Sequence, residues 1–129
     1  MMSRQKVRSS SAVLTALLWP VCAAAANIVD IAWTADSRFV HKTQIAAGKF
    51  VEICGKVSAG EAVRWSFNAD ALLDFNIHYH VGKDVVFPAK RAQVSGGQDV
   101  LKASVAQDYC WMWTNKTALP ASLAVELGR

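Results

Sequence analysis

The chain has 129 residues, of which 53% are hydrophobic and 19% are charged, and its formal net charge is +4. This length leaves room for one domain and excludes a second catalytic domain. The apolar content excludes a disordered chain, because disordered segments lack the apolar surface that would offset the entropy lost on ordering.

The first 26 residues have the pattern of a secretory signal peptide. A stretch with three basic residues and no acid precedes an apolar run that begins at Ala12, and small residues follow at Ala23 to Ala26. The run is shorter than the roughly 20 residues that span a membrane. We therefore predict a cleaved signal over residues 1–26 and one domain over residues 27–129. An uncleaved anchor and a lipoprotein attached through Cys22 are the alternatives.

Cleavage of this signal changes the charge balance of the protein. The signal holds three of the 14 basic residues and none of the 10 acidic ones, so the predicted domain carries a net charge of only +1. A charge this small gives no support to binding of nucleic acid or of a membrane surface. We expect an exported protein, periplasmic or secreted, with no nucleic-acid partner and no membrane span after cleavage.

The predicted domain keeps two of the three cysteines, Cys54 and Cys110. In an oxidising compartment two cysteines most simply form a disulfide. In the loop-entropy model a cross-link over this separation stabilises the fold by roughly 4 kcal/mol. Two free thiols that bind a soft metal are the alternative.

Short segments rich in β-branched and aromatic residues follow one another along the domain. The predicted strands are residues 50–57, 61–68, 73–81, 84–87, 100–105, 109–115 and 122–127, and residues 28–45 add one or two more. Turn signals lie at residues 58–60, 68–70, 82–84, 95–98 and 115–117. About seven or eight short strands at this spacing predict an all-β fold, an antiparallel β-sandwich or a small barrel.

Alternation within the strands assigns the two faces of the sheet. The inward positions of the second and third predicted strands are Val63, Trp65, Phe67, Leu73, Phe75, Ile77, Tyr79 and Val81. The outward positions of the third are Asp74, Asn76, His78 and His80. In residues 109–115 neither face is polar, which predicts a strand that is covered on both sides or one that presents Trp111 and Trp113 to a partner. A core position for both tryptophans is the alternative.

Four of these segments resemble the Golgi-dynamics (GOLD) domain, the luminal domain of cargo receptors in the early secretory pathway. They are Phe-Val-Glu-Ile-Cys at residues 50–54, Arg-Trp-Ser-Phe at 64–67, Asp-Phe-Asn-Ile-His at 74–78 and Asp-Tyr-Cys-Trp-Met-Trp-Thr-Asn at 108–115. The similarity covers residues 45–127. It implies a compact β-sandwich that binds protein or lipid and has no catalytic residues.

The same resemblance concerns two individual motifs. The family pairs an early cysteine with one in a late tyrosine-x-cysteine-aromatic strand, which Cys54 and Cys110 match, and that strand ends in an asparagine, which Asn115 matches. The receptors continue into a coiled coil and a membrane helix, whereas this sequence stops at Arg129, so we expect a stand-alone exported relative. In a eukaryotic host, Asn115-Lys116-Thr117 would be a glycosylation acceptor.

The pair His78 and His80 is the sharpest candidate for a functional site. Two histidines separated by one residue on a strand point to the same side and can bind one ion, with Cu, Zn or Ni as suitable metals and copper favoured. The candidates for a third ligand are Asp74, Asn76, His41 and, for Cu(I), Met112. Histidines without a function on an exposed face, and histidines that sense pH, are the alternatives.

The sequence has neither a G-x-S-x-G nor an H-E-x-x-H motif. We therefore expect no enzyme but an exported binding module, whose ligand is a transition metal. The alternative is an interaction domain whose partner is another protein of the cell envelope.

Overall fold

A computed structural model describes residues 15–18 and 27–129, so the predicted signal peptide lies almost wholly outside the described residues. Over residues 27–129 the structure has seven strands and no helix, which confirms the all-β prediction. The strands are β1 (Ile28–Asp30), β2 (Arg38–Ile45), β3 (Phe50–Val57), β4 (Ala62–Val81), β5 (Asp84–Lys102), β6 (Gln107–Thr114) and β7 (Ala121–Gly128). Among the described residues there is no helix of the length and hydropathy that a membrane crossing needs.

The strands form one curled sheet around the long strand β4. Residues Arg64–Ala69 of β4 pair with β7, which pairs with β2 at the edge. Residues Asp74–His78 pair instead with β6, which continues to β3 and β1. Strand β5 pairs with β4 along both parts. All pairs are antiparallel except β1 with β3. We call the part of the sheet that contains β7 and β2 the β7 half, and the part that contains β6, β3 and β1 the β6 half.

A bulge lets β4 pass from one half to the other. Asn68 lies opposite Gly96 and Leu73 lies opposite Val94, so four residues of β4 face a single residue of β5. A bulge of this kind bends a strand without ending it. The predicted turn at residues 68–70 is therefore wrong, and two predicted strands are one. The Ser122 N–H donates to the Asp70 carboxylate at 2.7 Å, which ties the bend to the start of β7.

The predicted turn at residues 95–98 is also wrong, because these residues lie inside β5. A Cβ atom on Gly97 would lie 3.1 Å from Arg91 Nη1 and 3.3 Å from Phe67 Cε1. A side chain would therefore be crowded here, so the glycine allows close packing inside the strand and does not mark a turn. The predicted strands 84–87 and 100–105 are consequently parts of one strand that ends at Lys102.

The core fills the concave side of the curled sheet. The inward positions of β4 predicted from alternation are buried from Val63 to Ile77, whereas Tyr79 is half-buried and Val81 is exposed near the end of the strand. Phe75 packs against Trp65 and Trp113 with ring centroids 4.8 and 5.3 Å apart, which joins the two halves. Aromatic pairs at such distances add about 0.5–1.5 kcal/mol each beyond area burial.

The side chains of Trp111 and Trp113 lie in this core and are 0% exposed. Both tryptophans are therefore core residues, as in the alternative interpretation of the sequence. Neither ring reaches the surface, where a partner would bind. Among the described residues neither indole N–H has a hydrogen-bond acceptor.

Asn115 is fully buried just after β6 and joins two loops. Its Nδ2 donates to the carbonyls of Ile45 at 3.0 Å and Leu119 at 2.8 Å. Its Oδ1 accepts from the backbone N–H of Thr117 at 2.9 Å and from the Thr117 hydroxyl at 2.7 Å. An amide that is buried and bonded in this way is closed to a glycosylating enzyme, so the conditional acceptor site of the sequence is not accessible in the fold.

Candidate functional site

The convex face of the β6 half carries the residues that the sequence singles out for chemistry. Cross-strand register aligns them in two adjacent rows, since residues directly opposite one another lie about 4.5–5.5 Å apart. One row consists of Cys54, Cys110 and His78. The other consists of Glu52, Met112 and Asn76. The strand pairing therefore brings together six side chains from three strands.

Cys54 and Cys110 form a disulfide, as predicted. The two cysteines face each other across the β3–β6 ladder with their Cα atoms 4.1 Å apart. Disulfides of this kind persist in oxidising compartments outside the cytoplasm. The chain is therefore an exported protein, and the alternative of two free thiols is not what the structure contains.

His78 is buried on this face, with 5% of its surface exposed, although alternation predicts an exposed position. Phe87 of β5 lies beside the imidazole, with ring centroids 6.0 Å apart, and His80 lies edge-on to it at 5.3 Å. Alternation states only which side of the sheet a residue is on. Burial on that side depends on neighbouring side chains, and the prediction of an exposed His78 is wrong for this reason.

Both nitrogens of the His78 ring have a defined environment. Nδ1–H donates to Asn76 Oδ1 at 2.8 Å, which leaves the lone pair of the neutral ring on Nε2. Nε2 lies 3.6 Å from Glu52 Oε1, and the Glu52 side chain is itself largely buried. A lone pair and a carboxylate oxygen therefore face each other in a poorly solvated place, an arrangement that a cation between them would stabilise.

The electrostatics of the site favour the neutral imidazole. Burial lowers the pKa of His78 below its ordinary value; the Glu52 carboxylate opposes this shift and the neighbouring His80 adds to it. Desolvation outweighs the attraction of one carboxylate here. Near neutral pH the ring is therefore unprotonated, which is the form that binds metals.

This shift predicts that the protein loses stability when His78 must be protonated. Because the pKa is lower in the folded state, the unfolded chain binds the proton first, and the free energy of unfolding falls as the pH drops below about 6.5. Urea unfolding between pH 8 and pH 5, with a chelator present, measures this loss. His78→Gln should show a smaller decline over this range, and an unchanged decline would contradict the assignment.

Glu52, His78 and Cys110 form a cluster that offers ligand atoms of three types. A carboxylate oxygen of Glu52, a ring nitrogen of His78 and the sulfur of Cys110 all lie within 4.8 Å of one another. Two ligands bound to one zinc ion in tetrahedral geometry are about 3.3 Å apart, close to the 3.6 Å between Nε2 and Oε1. Because Cys110 is in the disulfide, its sulfur is no thiolate ligand in this state.

The other predicted ligands differ in their position relative to His78. His80 is the next outward residue along β4 and is exposed, so its ring can change rotamer easily. Met112 lies between Glu52 and Asn76 in the row described above. Asp74 is engaged elsewhere, with Lys116 and Gln93.

His41 does not belong to the cluster. It lies on β2, at the far edge of the β7 half, and stacks on Phe39 with ring centroids 6.1 Å apart. The prediction of His41 as a third ligand is therefore not supported by its position. Glu52 lies beside His78 instead. The sequence-based predictions missed Glu52, because it lies on a strand that is separated from His78 by β6.

A shallow cleft lies on the outer side of the β7 half. Its lining includes Arg38, Arg64, Gln98 and Glu126. The Arg38 guanidinium and the Glu126 carboxylate form a salt bridge across the cleft, and both side chains are about half exposed. Exposed pairs of this kind contribute about 0–1 kcal/mol. Asp99 also lines the cleft, so its two arginines face two acids and its formal charges balance.

No family model matches the sequence, and no curated protein matches it significantly. Several solved structures share the fold. The pre-peptidase C-terminal domain of a Bacillus anthracis collagenase aligns with a TM-score of 0.57 at 9% identity, over 78% of this chain and 92% of that one. The mitogen derived from Yersinia pseudotuberculosis aligns with a TM-score of 0.55 at 10% identity, over 70% and 84%.

A third structure of this kind is the periplasmic inhibitor of g-type lysozyme from Aeromonas hydrophila. It aligns with a TM-score of 0.51 at 14% identity, over 78% of this chain and 95% of the inhibitor. Identities this low establish a shared β-rich fold and nothing more specific. The resemblance to the Golgi-dynamics family stays a prediction.

Proposed function

We propose that this chain is a periplasmic, non-catalytic binding domain that holds a copper or zinc ion between Glu52 and His78. The observation that carries the proposal is the 3.6 Å approach of His78 Nε2 to Glu52 Oε1. Both groups are acceptors when His78 is neutral, and both are shielded from water. An ion between them would satisfy both, whereas without a cation the two groups repel each other.

The surroundings of His78 also support a metal ligand. Metal-binding histidines usually donate their second ring N–H to an oxygen that fixes the tautomer, as His78 does to Asn76. Exposed His80 can supply a further nitrogen, and Met112 can supply a thioether for Cu(I). The sulfur of Cys110, which lies within 4.8 Å of His78, is held in the disulfide and offers no thiolate nucleophile, which supports binding over catalysis.

Calorimetric titration of the purified, oxidised protein with Cu(II) and Zn(II) tests this proposal. His78→Ala and Glu52→Gln each remove one ligand and should abolish the specific site. Asn76→Ala removes only the partner of Nδ1 and should weaken binding about 10–100-fold, as is typical for groups that orient a ligand. His41→Ala is the matched control and should bind as tightly as the wild type. Equal affinity of the His78→Ala variant would overturn the proposal.

The tip of the β4–β5 hairpin favours a second candidate function, contact with another protein of the cell envelope. Four large apolar side chains are between 38% and 50% exposed there. Val85 and Phe87 lie on the face that carries His78 and His80, and Val81 and Val86 lie on the opposite face of the hairpin. Apolar groups clustered at a surface often mark an interaction site. Inhibition of a lysozyme, the activity named for the Aeromonas hydrophila structure, is one form that such a contact takes. This candidate gains weight if the titration shows no metal binding.

A further inference from the structure

The disulfide is part of the cluster and does not merely lie near it. Cys110 is the direct cross-strand neighbour of both Cys54 and His78, and its sulfur lies within 4.8 Å of the ligand atoms of Glu52 and His78. In the disulfide this sulfur is a poor ligand. As a thiolate it would be the strongest ligand of the group, because thiolates bind Zn(II) and Cu(I) tightly.

We propose that reduction of the Cys54–Cys110 disulfide converts this cluster into a four-ligand site for Zn(II) or Cu(I), formed by both thiolates, His78 and Glu52. The inference rests on the proposed function, since it uses the same histidine and carboxylate. It adds a redox control, in which the oxidised protein offers nitrogen and oxygen ligands and the reduced protein offers two sulfurs in addition.

The reaction balances with a dithiol as the reductant. The dithiol gives two electrons and two protons to the sulfur–sulfur bond and leaves as its own disulfide, so that Cys54 and Cys110 become thiols. The metal ion then displaces the two thiol protons. Both cysteines are half-buried, so the bond is not sealed inside the core.

The backbone holds the two sulfurs together after the bond is broken. Strands β3 and β6 are paired at eight successive positions, from Phe50 with Thr114 to Val57 with Gln107, and the cysteines lie in the middle of this ladder. Two thiolates on one tetrahedral zinc ion are about 3.8 Å apart, a separation that suits side chains on directly opposite residues. The fold therefore preorganises the two thiolates relative to each other, and Cys110 relative to Glu52 and His78.

Cobalt(II) titration of the oxidised protein and of dithiol-reduced, desalted protein without oxygen tests the inference. Cobalt bound to thiolates gives an intense sulfur-to-metal absorption band in the near ultraviolet, which nitrogen and oxygen ligands do not give. We expect this band only in the reduced protein, with affinity at least about 100-fold above that of the oxidised form, a difference of about 2.7 kcal/mol. Circular dichroism should show that the reduced protein keeps its strands.

Two variants control this experiment. The double variant Cys54→Ala/Cys110→Ala should show no sulfur band in either state, and His78→Ala should keep the band with weaker binding. Binding by the oxidised protein without a band after reduction overturns this inference alone. Binding only after reduction supports the thiolate site and overturns the proposed function of the oxidised cluster. Absence of binding in both states overturns both.

Discussion

Asn115→Ala should destabilise the protein by about 3 kcal/mol, a large part of the 5–15 kcal/mol that a domain of this size has. The substitution removes the hydrogen bonds that Nδ2 donates to the carbonyls of Ile45, Ala46 and Leu119 and the two that Oδ1 accepts from Thr117. It leaves the buried carbonyl of Ile45 without this donor, and an unpaired buried group costs about 1–3 kcal/mol. Alanine cannot replace these bonds, and the smaller side chain also leaves a cavity.

Urea unfolding at pH 7.5 measures this effect. Asn68→Ala is the matched control, because Asn68 is the same residue type on an exposed position of β4, where a substitution should change stability by less than about 0.5 kcal/mol. Thr117→Val removes the hydroxyl that bonds to Asn115 Oδ1 and to the backbone of Leu119, keeps the Asn115 side chain, and should cost about 1 kcal/mol. A loss below about 1 kcal/mol for Asn115→Ala would show that the network is not important for stability.

Period-two alternation was sufficient to predict the faces of the sheet. Val63, Phe67 and Phe75 are buried, as their positions in the pattern require. The pattern holds through the bulge of β4, so the bend did not disturb it. Side-chain direction is a local property of the strand, and the sequence contains all the information that is needed for it.

The course of the chain through the bend was not predictable in the same way. Asn68 and Asp70 on β4, and Gly96 and Gly97 on β5, are residue types that favour turns. In the folded protein Asn68 lies directly opposite Gly96, Gly97 is the next residue along β5, and Asp70 lies in the bulge of β4. Residues of these types indicate that the backbone departs from a regular strand at this point. Only the pairing of the two strands decides whether the chain reverses in a turn or continues through a bulge.

The candidate site shows the same division between local and long-range information. His78 and Asn76 lie two residues apart on one strand, and the sequence placed both on one side of the sheet. Glu52 joins them only because β6 lies between β3 and β4. The disulfide contains a usable signal, since pairing Cys54 with Cys110 places Glu52 opposite Met112 on the same face. The register of β6 against β4 is the one step that the sequence does not supply.

Loss of the disulfide should destabilise the protein by about 4 kcal/mol. The bond closes a loop between residues 56 positions apart, and the loop-entropy model gives roughly 4 kcal/mol for this length. Cys54→Ala/Cys110→Ala removes the bond and the packing of the two sulfurs on the convex face. Urea unfolding with a chelator present should therefore show a much lower midpoint than that of the wild type.

Cys54→Val/Cys110→Val separates the covalent bond from the packing. Valine is favoured in strands and fills most of the space between β3 and β6, so this variant should regain about 1 kcal/mol over the alanine pair while it still lacks the cross-link. The remaining difference from the wild type measures the constraint that the disulfide places on the unfolded chain. If the valine pair unfolds at the urea concentration of the wild type, the bond contributes no stability, and its position beside His78 becomes the stronger reason for its presence.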